Sequence, residues 1–215
     1  MKKLDLLWGA VLVLIMLFLF IPTTQSMFVA ASKQHVYLMA FAKFAVLASM
    51  GELMVMRLMS GDWRLPVGML WRMIVWGFLG ILIALMFNVN AAGVKAVMAK
   101  GLLPNFGGSF SFALATSVVT NCFFAPAFMA LHRVSDTCIE MGEGKLMKMV
   151  ALRRIEIFQR IDWAGFIDFI ICKTVPLFWI PAHTITFMLP PEYRVLMAAM
   201  LSIVLGVILG YRKAK

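Results

Sequence analysis

Apolar residues along this chain come in long unbroken runs, not at alternate positions or in short stripes. Leu6–Ile21, Met73–Phe87 and Val195–Leu209 contain no charged residue, and mildly polar flanks lengthen each run. About 20 helical residues cross about 30 Å of hydrocarbon, so runs of this length predict membrane-spanning helices. Inside lipid every backbone amide must be satisfied within its own segment, which makes the helix the default. A barrel would need alternating positions, and none of these runs alternates. The pattern predicts an all-α, polytopic bundle of six spans, near residues 6–22, 36–59, 67–88, 108–132, 163–189 and 195–211. Pro22, Pro66, Gly107-Gly108 and Pro190-Pro191 punctuate the junctions.

Residues 1–35 read as an N-terminal anchor span with an outer loop, and residues 36–215 as the main helix bundle. The first run follows Lys2 and Lys3 as a signal peptide would. It is long for a signal, and the small residues Val29-Ala30-Ala31 lie far from its end, so an uncleaved anchor is expected. Two stretches fit neither span nor plain loop. Ala91–Lys100 is weakly amphipathic, and residues 144–163 mix Lys and Arg with Leu146, Val150, Ile157 and Ile161. The second reads as an interfacial helix with a contact to anionic lipid, or as a solvated connector whose charges fix topology.

Composition supports the membrane reading, with 63% hydrophobic and 14% charged residues against about 45–50% and about 25% in soluble domains. The net charge of +10 does not signal nucleic-acid binding, because the basic residues lie in loops and tails between the apolar runs. With the N-terminus inside, Lys2, Lys3, Arg57, Arg64, Arg133, Lys145, Lys148, Arg153, Arg154, Arg160, Arg212, Lys213 and Lys215 fall on the inner side. Only Lys33, Lys95, Lys100 and Arg194 fall outside. That bias predicts cytoplasmic termini and, for a bacterial chain, the plasma membrane. The cysteines Cys122, Cys138 and Cys172 are odd in number and lack C-x-x-C spacing, so no disulfide framework and no metal site follows. No nucleotide, nucleophile-elbow or zinc-protease motif occurs, so neither a cofactor nor an enzymatic activity is expected.

Ionisable residues inside spans carry the candidate chemistry, because each costs roughly 2.5–3.5 kcal/mol at mid-membrane. They are Lys43, Glu52, Arg72, Asp168 and Lys173. Arg72 and Asp168 are close enough to span ends to reach the interface. Lys173 is deepest, and the expectation is a protein-lined or hydrated interior, with an ion pair to Asp168 or Glu52 as the alternative. Pro176 and Pro181 each remove an amide donor and bend this fifth span. On an ideal helix Asp168, Cys172, Trp179 and His183 fall within roughly 60° of one another. A solute path along Lys173, Asp168, Trp179, His183, Pro176, Pro181 and the span-four Asn121 is therefore the site hypothesis. In the last span Ala198, Ser202, Gly206 and Gly210 recur every fourth residue, a face for close helix packing within the chain or in a homo-oligomer.

The run WIPAHTITFMLPPEYRV resembles the signature of the family that contains the 22-kDa peroxisomal membrane protein and the mitochondrial Mpv-seventeen protein. Trp179, Pro181, Ala182, Phe187, Pro190 or Pro191, Tyr193 and Arg194 match it in order. NCFFAPAFMAL, from Asn121 to Leu131, is a weaker match to its Asp-Gln and Phe-Ala-Pro elements. This chain departs from the pattern at Ile180, at Thr186 where Asn is usual, at Thr120-Asn121, and in six predicted spans where four are usual, the first of them looking like an addition. The resemblance implies a pore or transport-related membrane protein of undefined substrate. It agrees with a channel or transporter for small anionic or neutral solutes, the reading that the deep Lys173 motivates. The alternative is a non-transporting membrane scaffold or assembly protein.

Overall fold

The computed structural model describes residues 3–214, with side chains described as far as residue 208. Lys2 and Lys215, used in the topology argument, lie outside the described residues, and the side chains of Arg212 and Lys213 do too; of Gly210 only its place in a helix is described. The described elements are α1 (Lys3–Phe20), α2 (Pro22–Gln34), α3 (Val36–Ser60), α4 (Met69–Ala99), α5 (Gly108–Met141), α6 (Leu146–Ala151), α7 (Arg154–Arg160), α8 (Trp163–Met188) and α9 (Pro191–Ala214). Six of these, α1, α3, α4, α5, α8 and α9, are long and apolar enough to cross a membrane. The protein is thus an all-α polytopic membrane bundle, as its apolar runs predict.

Several boundaries differ from the pattern, each for a local reason. The segment after the first span is a helix, not a loop, started by Pro22 in its first turn, where a missing amide costs nothing. Ala91–Lys100 is not a separate element; α4 continues through it to Ala99. The fourth span does not stop at residue 132 but runs to Met141, so His132, Asp136 and Glu140 are helical. The single interfacial helix predicted over 144–163 is two short ones, interrupted where Leu152 and Arg153 are extended. Ile157 and Ile161 are buried there, whereas Leu146, Met147, Val150, Ile155 and Phe158 are exposed beside Lys145, Lys148 and Arg154.

The six long helices run alternately up and down between a first end, which carries the start of α1, and an opposite end. Asp5 near the start of α1 accepts from Arg57 at 2.8 and 3.0 Å and from Trp63 Nε1 at 2.7 Å, tying α1 to the end of α3. At the opposite end Lys33 pairs with Glu192 at 2.8 Å. α3 is the central helix, packed between α4 and α9, while the last turns of α8 pack on the first half of α5. Small residues set these distances. A Cβ on Gly51 of α3 would lie 3.2 Å from the Ser202 carbonyl oxygen, and one on Gly206 of α9 would lie 3.2 Å from the Gly51 oxygen. The Ala198–Ser202–Gly206 face is thus an internal contact between α3 and α9. α1 lays Trp8, Leu12, Ile15 and Leu19 on the core, with Trp8 Nε1 donating to the Met50 carbonyl at 3.2 Å.

Two helices depart from α geometry. In α5 the hydrogen bonding widens to i→i+5 over Thr120–Phe124, directly before Pro126, where a missing amide would break an ordinary ladder. In α8 the same widening runs from Phe166 to Trp179 and contains Pro176.

Candidate functional site

A cavity of about 410 Å³ lies among α3, α4, α5, α8 and α9. Its walls are mainly apolar, from Phe44, Ile83, Phe87, Phe128 and Leu205, with polar groups gathered at two levels. That is the usual chemistry of a small-molecule cavity, an apolar volume with a few oriented polar groups.

The first level is near the middle of the bundle. Asn121 sits in the widened turn of α5, fully buried, and donates Nδ2 to the Ser117 carbonyl at 2.8 Å. Its Oδ1 faces His183 Nδ1 at 3.2 Å. The imidazole lies between the rings of Trp179, 5.1 Å away, and Phe87, 5.3 Å away. Ser117 Oγ donates to the Ile180 carbonyl at 2.7 Å, which joins α5 to α8 where Pro181 follows. Asn90 of α4 donates to Thr120 Oγ1 at 3.0 Å. Trp179 lines the same cavity, and its Nε1 is a buried donor without a hydrogen-bond partner among the described residues.

The second level is ionic and lies toward the first end. Arg72, 6% exposed, is held by the Val67 carbonyl at 3.0 Å and faces three carboxylates. Its guanidinium is 2.9 Å from Asp136 Oδ1, 2.9 Å from Glu140 Oε1 and 3.8 Å from Glu52 Oε2. The Asp136 contact is an ion pair off the hydrogen-bonding direction, since Oδ1 accepts no hydrogen bond from the described residues. Trp76 Nε1 donates to Glu52 Oε1 at 2.7 Å, and its ring rests 4.2 Å from the His132 imidazole. His132 Nε2 lies 3.5 Å from Asp136 Oδ2 and 3.8 Å from Glu52 Oε1.

The residues picked from sequence divide between this cavity and elsewhere. Asn121, Trp179 and His183 line it, as do Ala198, Ser202 and Gly206 of the packing face. Lys173 and Asp168 do not. They pair with each other at 2.6 Å, with side chains 55% and 68% exposed, on the outside of α8. The expected shared face of Asp168, Cys172, Trp179 and His183 does not form. With i→i+5 bonding, residue 173 stacks on 168, as Thr174 Oγ1 also does on the Phe169 carbonyl at 2.9 Å. The changed periodicity rotates Asp168 and Cys172 outward while Trp179 and His183 face the cavity. Pro176 and Pro181 act on the backbone of this helix, and neither lines the cavity.

The remaining motif residues belong to packing at the opposite end. Phe187 is buried against the Phe87 ring at 4.8 Å, and Arg194 lies over the Phe187 ring at 5.6 Å with Nε donating to the Leu189 carbonyl at 3.0 Å. The Ala182 carbonyl accepts from Thr186 at 3.0 Å, and the ring of Tyr193 is 6.0 Å from that of Phe28. Lys43, also noted in the sequence, is buried at this end, with Nζ donating to Ser32 Oγ at 2.9 Å. His132, Asp136 and Glu140 were missed because the charges after residue 132 look like the end of a span. The signal that could have found them is the i, i+4, i+8 spacing of three ionisable residues continuing one face of α5. No family model matches the chain, and no curated protein or solved structure matches it.

Proposed function

We propose that the protein passes small solutes across a membrane through the cavity at the centre of its bundle. The observation that carries this reading is the arrangement of two polar levels, Asn121–His183–Trp179 and Glu52–Arg72–His132–Asp136, along one cavity inside a set of membrane-length helices. Polar and ionic groups at membrane depth are costly unless they face protein or water, and an apolar cavity with an orphan Trp179 donor offers a place for a solute. Arg72 faces three carboxylates, so the ionic level carries excess negative charge and favours cationic or neutral solutes. The anionic preference rested on Lys173, which lies off the cavity. Cytoplasmic termini, following the Lys and Arg bias, would put this ionic level at the inner face. Membership of the family of the 22-kDa peroxisomal membrane protein is part of the same proposal, supported by the order of Trp179, Pro181, Ala182, Phe187, Tyr193 and Arg194.

Purified protein in liposomes tests the reading against a panel of potassium, chloride, choline and glycerol gradients. Solute-dependent flux with a preference for cations over chloride is expected, and Asp136→Asn should weaken that preference. Absence of flux for every member of the panel would overturn it and leave the scaffold reading.

A further inference from the structure

The ionic level of the cavity holds a donor set that ion pairing with Arg72 does not use up. Glu52 projects from α3, and His132 and Asp136 from consecutive turns of α5. One ligand-capable atom from each lies within 4.8 Å of the others. His132 Nε2 is buried and has no hydrogen-bond partner among the described residues, although two carboxylate oxygens face it at 3.5 and 3.8 Å. A direct N–H···O bond would bring the atoms to about 2.7–3.2 Å. At a metal–ligand distance of about 2.1 Å, atoms separated by 3.5 and 3.8 Å subtend about 110–130° at a shared cation. For the two pairs that include His132, that is the range of tetrahedral and trigonal coordination.

Charge points the same way. Three carboxylates, Glu52, Asp136 and Glu140, face the single Arg72 guanidinium, so a further cation at this level meets acidic groups in excess of their direct cationic partner. The donors are also held in place by groups outside the set. Arg72 Nη1 holds Asp136 through Oδ1, leaving Oδ2 toward His132, and Trp76 Nε1 fixes Glu52 Oε1 at 2.7 Å. Outer partners of this kind orient ligands and tune affinity. A nitrogen with two carboxylates suits zinc, manganese, iron or cobalt better than calcium or magnesium, which take oxygen donors alone.

We infer that Glu52, His132 and Asp136 form a binding site for a divalent transition-metal cation, with its remaining coordination positions open to the cavity. This goes beyond the solute-path reading and is independent of it, because it concerns equilibrium binding to the folded chain and needs no flux. It also departs from the sequence expectation of no metal site, which considered only the cysteines.

The test uses the full chain, stripped of metal with a chelator and titrated in detergent micelles with Co²⁺. Equilibrium dialysis and visible absorbance should show saturable uptake of one ion per chain, without the sulfur-to-cobalt band that Cys122, Cys138 or Cys172 would produce. The melting temperature should rise on saturation. His132→Gln and Asp136→Asn should each weaken uptake at least about tenfold, and Trp76→Phe by a smaller factor. His35→Gln, exposed at the opposite end of the bundle, should leave uptake unchanged. Asp136→Asn, nearly isosteric, keeps the test decisive if His132→Gln does not fold. Absence of saturable uptake by the parent chain, or uptake that survives both substitutions, would overturn the inference.

Discussion

Arg72 and Lys173 are both cations within helices long enough to span a membrane, yet the fold treats them in opposite ways. The Arg72 side chain is 7% exposed and faces carboxylates from two other helices, whereas that of Lys173 is 55% exposed and faces one carboxylate on its own helix. Lys173 is the deeper of the two along the sequence, and depth along a span does not decide which side of the helix a residue occupies. Arg72 lies only a turn into α4, but the extension of α5 to Met141 brings Asp136 and Glu140 beside it. The Lys173–Asp168 pair is made locally by the wide turns of α8 and needs no other element. One ion pair is therefore a tertiary feature that joins helices, and the other is a secondary-structure feature that neutralises itself.

The largest effect that tests this contrast is expected at Arg72. Arg72→Met would remove the cation while leaving Asp136 and Glu52, both with side chains 18% exposed, and the more open Glu140. Breaking a buried pair by removing one partner costs about 3–5 kcal/mol, because the remaining charge is uncompensated. A large fall in melting temperature or loss of folded protein in detergent is expected. Asp136→Asn in the same chain should restore part of the loss, since the two residues are coupled. A melting temperature equal to that of the parent would show that water reaches this level freely and that its burial is unimportant.

The same two residues separate what a sequence carries from what only packing decides. The apolar runs predict the helices because spanning length is a local property, readable without knowing any neighbour. Glu52 and Arg72 stand out as ionisable residues within those runs. Their partners do not, because Asp136 and His132 lie where rising polarity imitates the end of a helix. The pairing of residues 72 and 136 also depends on how α4 and α5 pack. The face shared by Asp168 and His183 failed for a different reason. It assumed 3.6 residues per turn, and the i→i+5 turns around Pro176 change that period. Trp179 and His183 stand out because they lie on a span bent by prolines, and Asn121 because an amide is hard to hide within a span, signals that survive a change of helix register.

An intermediate effect is expected at Gly206, which sharpens the comparison by testing what holds the buried site together. Gly51 adjoins Glu52 on α3, and a Cβ on Gly206 would meet Val55 Cγ2 at 3.0 Å as well as the Gly51 oxygen. Gly206→Leu would push α9 from α3 just where Glu52 is presented to Arg72 and His132. Overpacking of this kind costs about 1–3 kcal/mol. Thermal melting in detergent should show that loss, and cation preference in liposomes should weaken as Glu52 shifts. Unchanged melting would mean that α3 and α9 separate at no cost, contrary to the close contact.

The smallest effect is expected at Lys173, where the contrast is easiest to break. Lys173→Met leaves Asp168, five residues into α8 and 68% exposed at its side chain, close enough to the helix end to reach the interface. Lys173→Met also removes the deeper charge from the outward side of a span, where an ionised side chain is itself costly, so the melting temperature should change little. Asp168→Asn should cost more than Lys173→Met, because it leaves the deeper charge of the two without its partner, and the double substitution should return to the Lys173→Met value. Melting of the three variants in lipid nanodiscs checks that order. Flux measured on the same preparations should keep the cation preference of the parent in Lys173→Met while losing part of it in Asp136→Asn. A change of selectivity in Lys173→Met would instead place the outside of α8 on a solute path, as an assembly of several copies around that face would do. The self-neutralised pair would then be the functional ionic site.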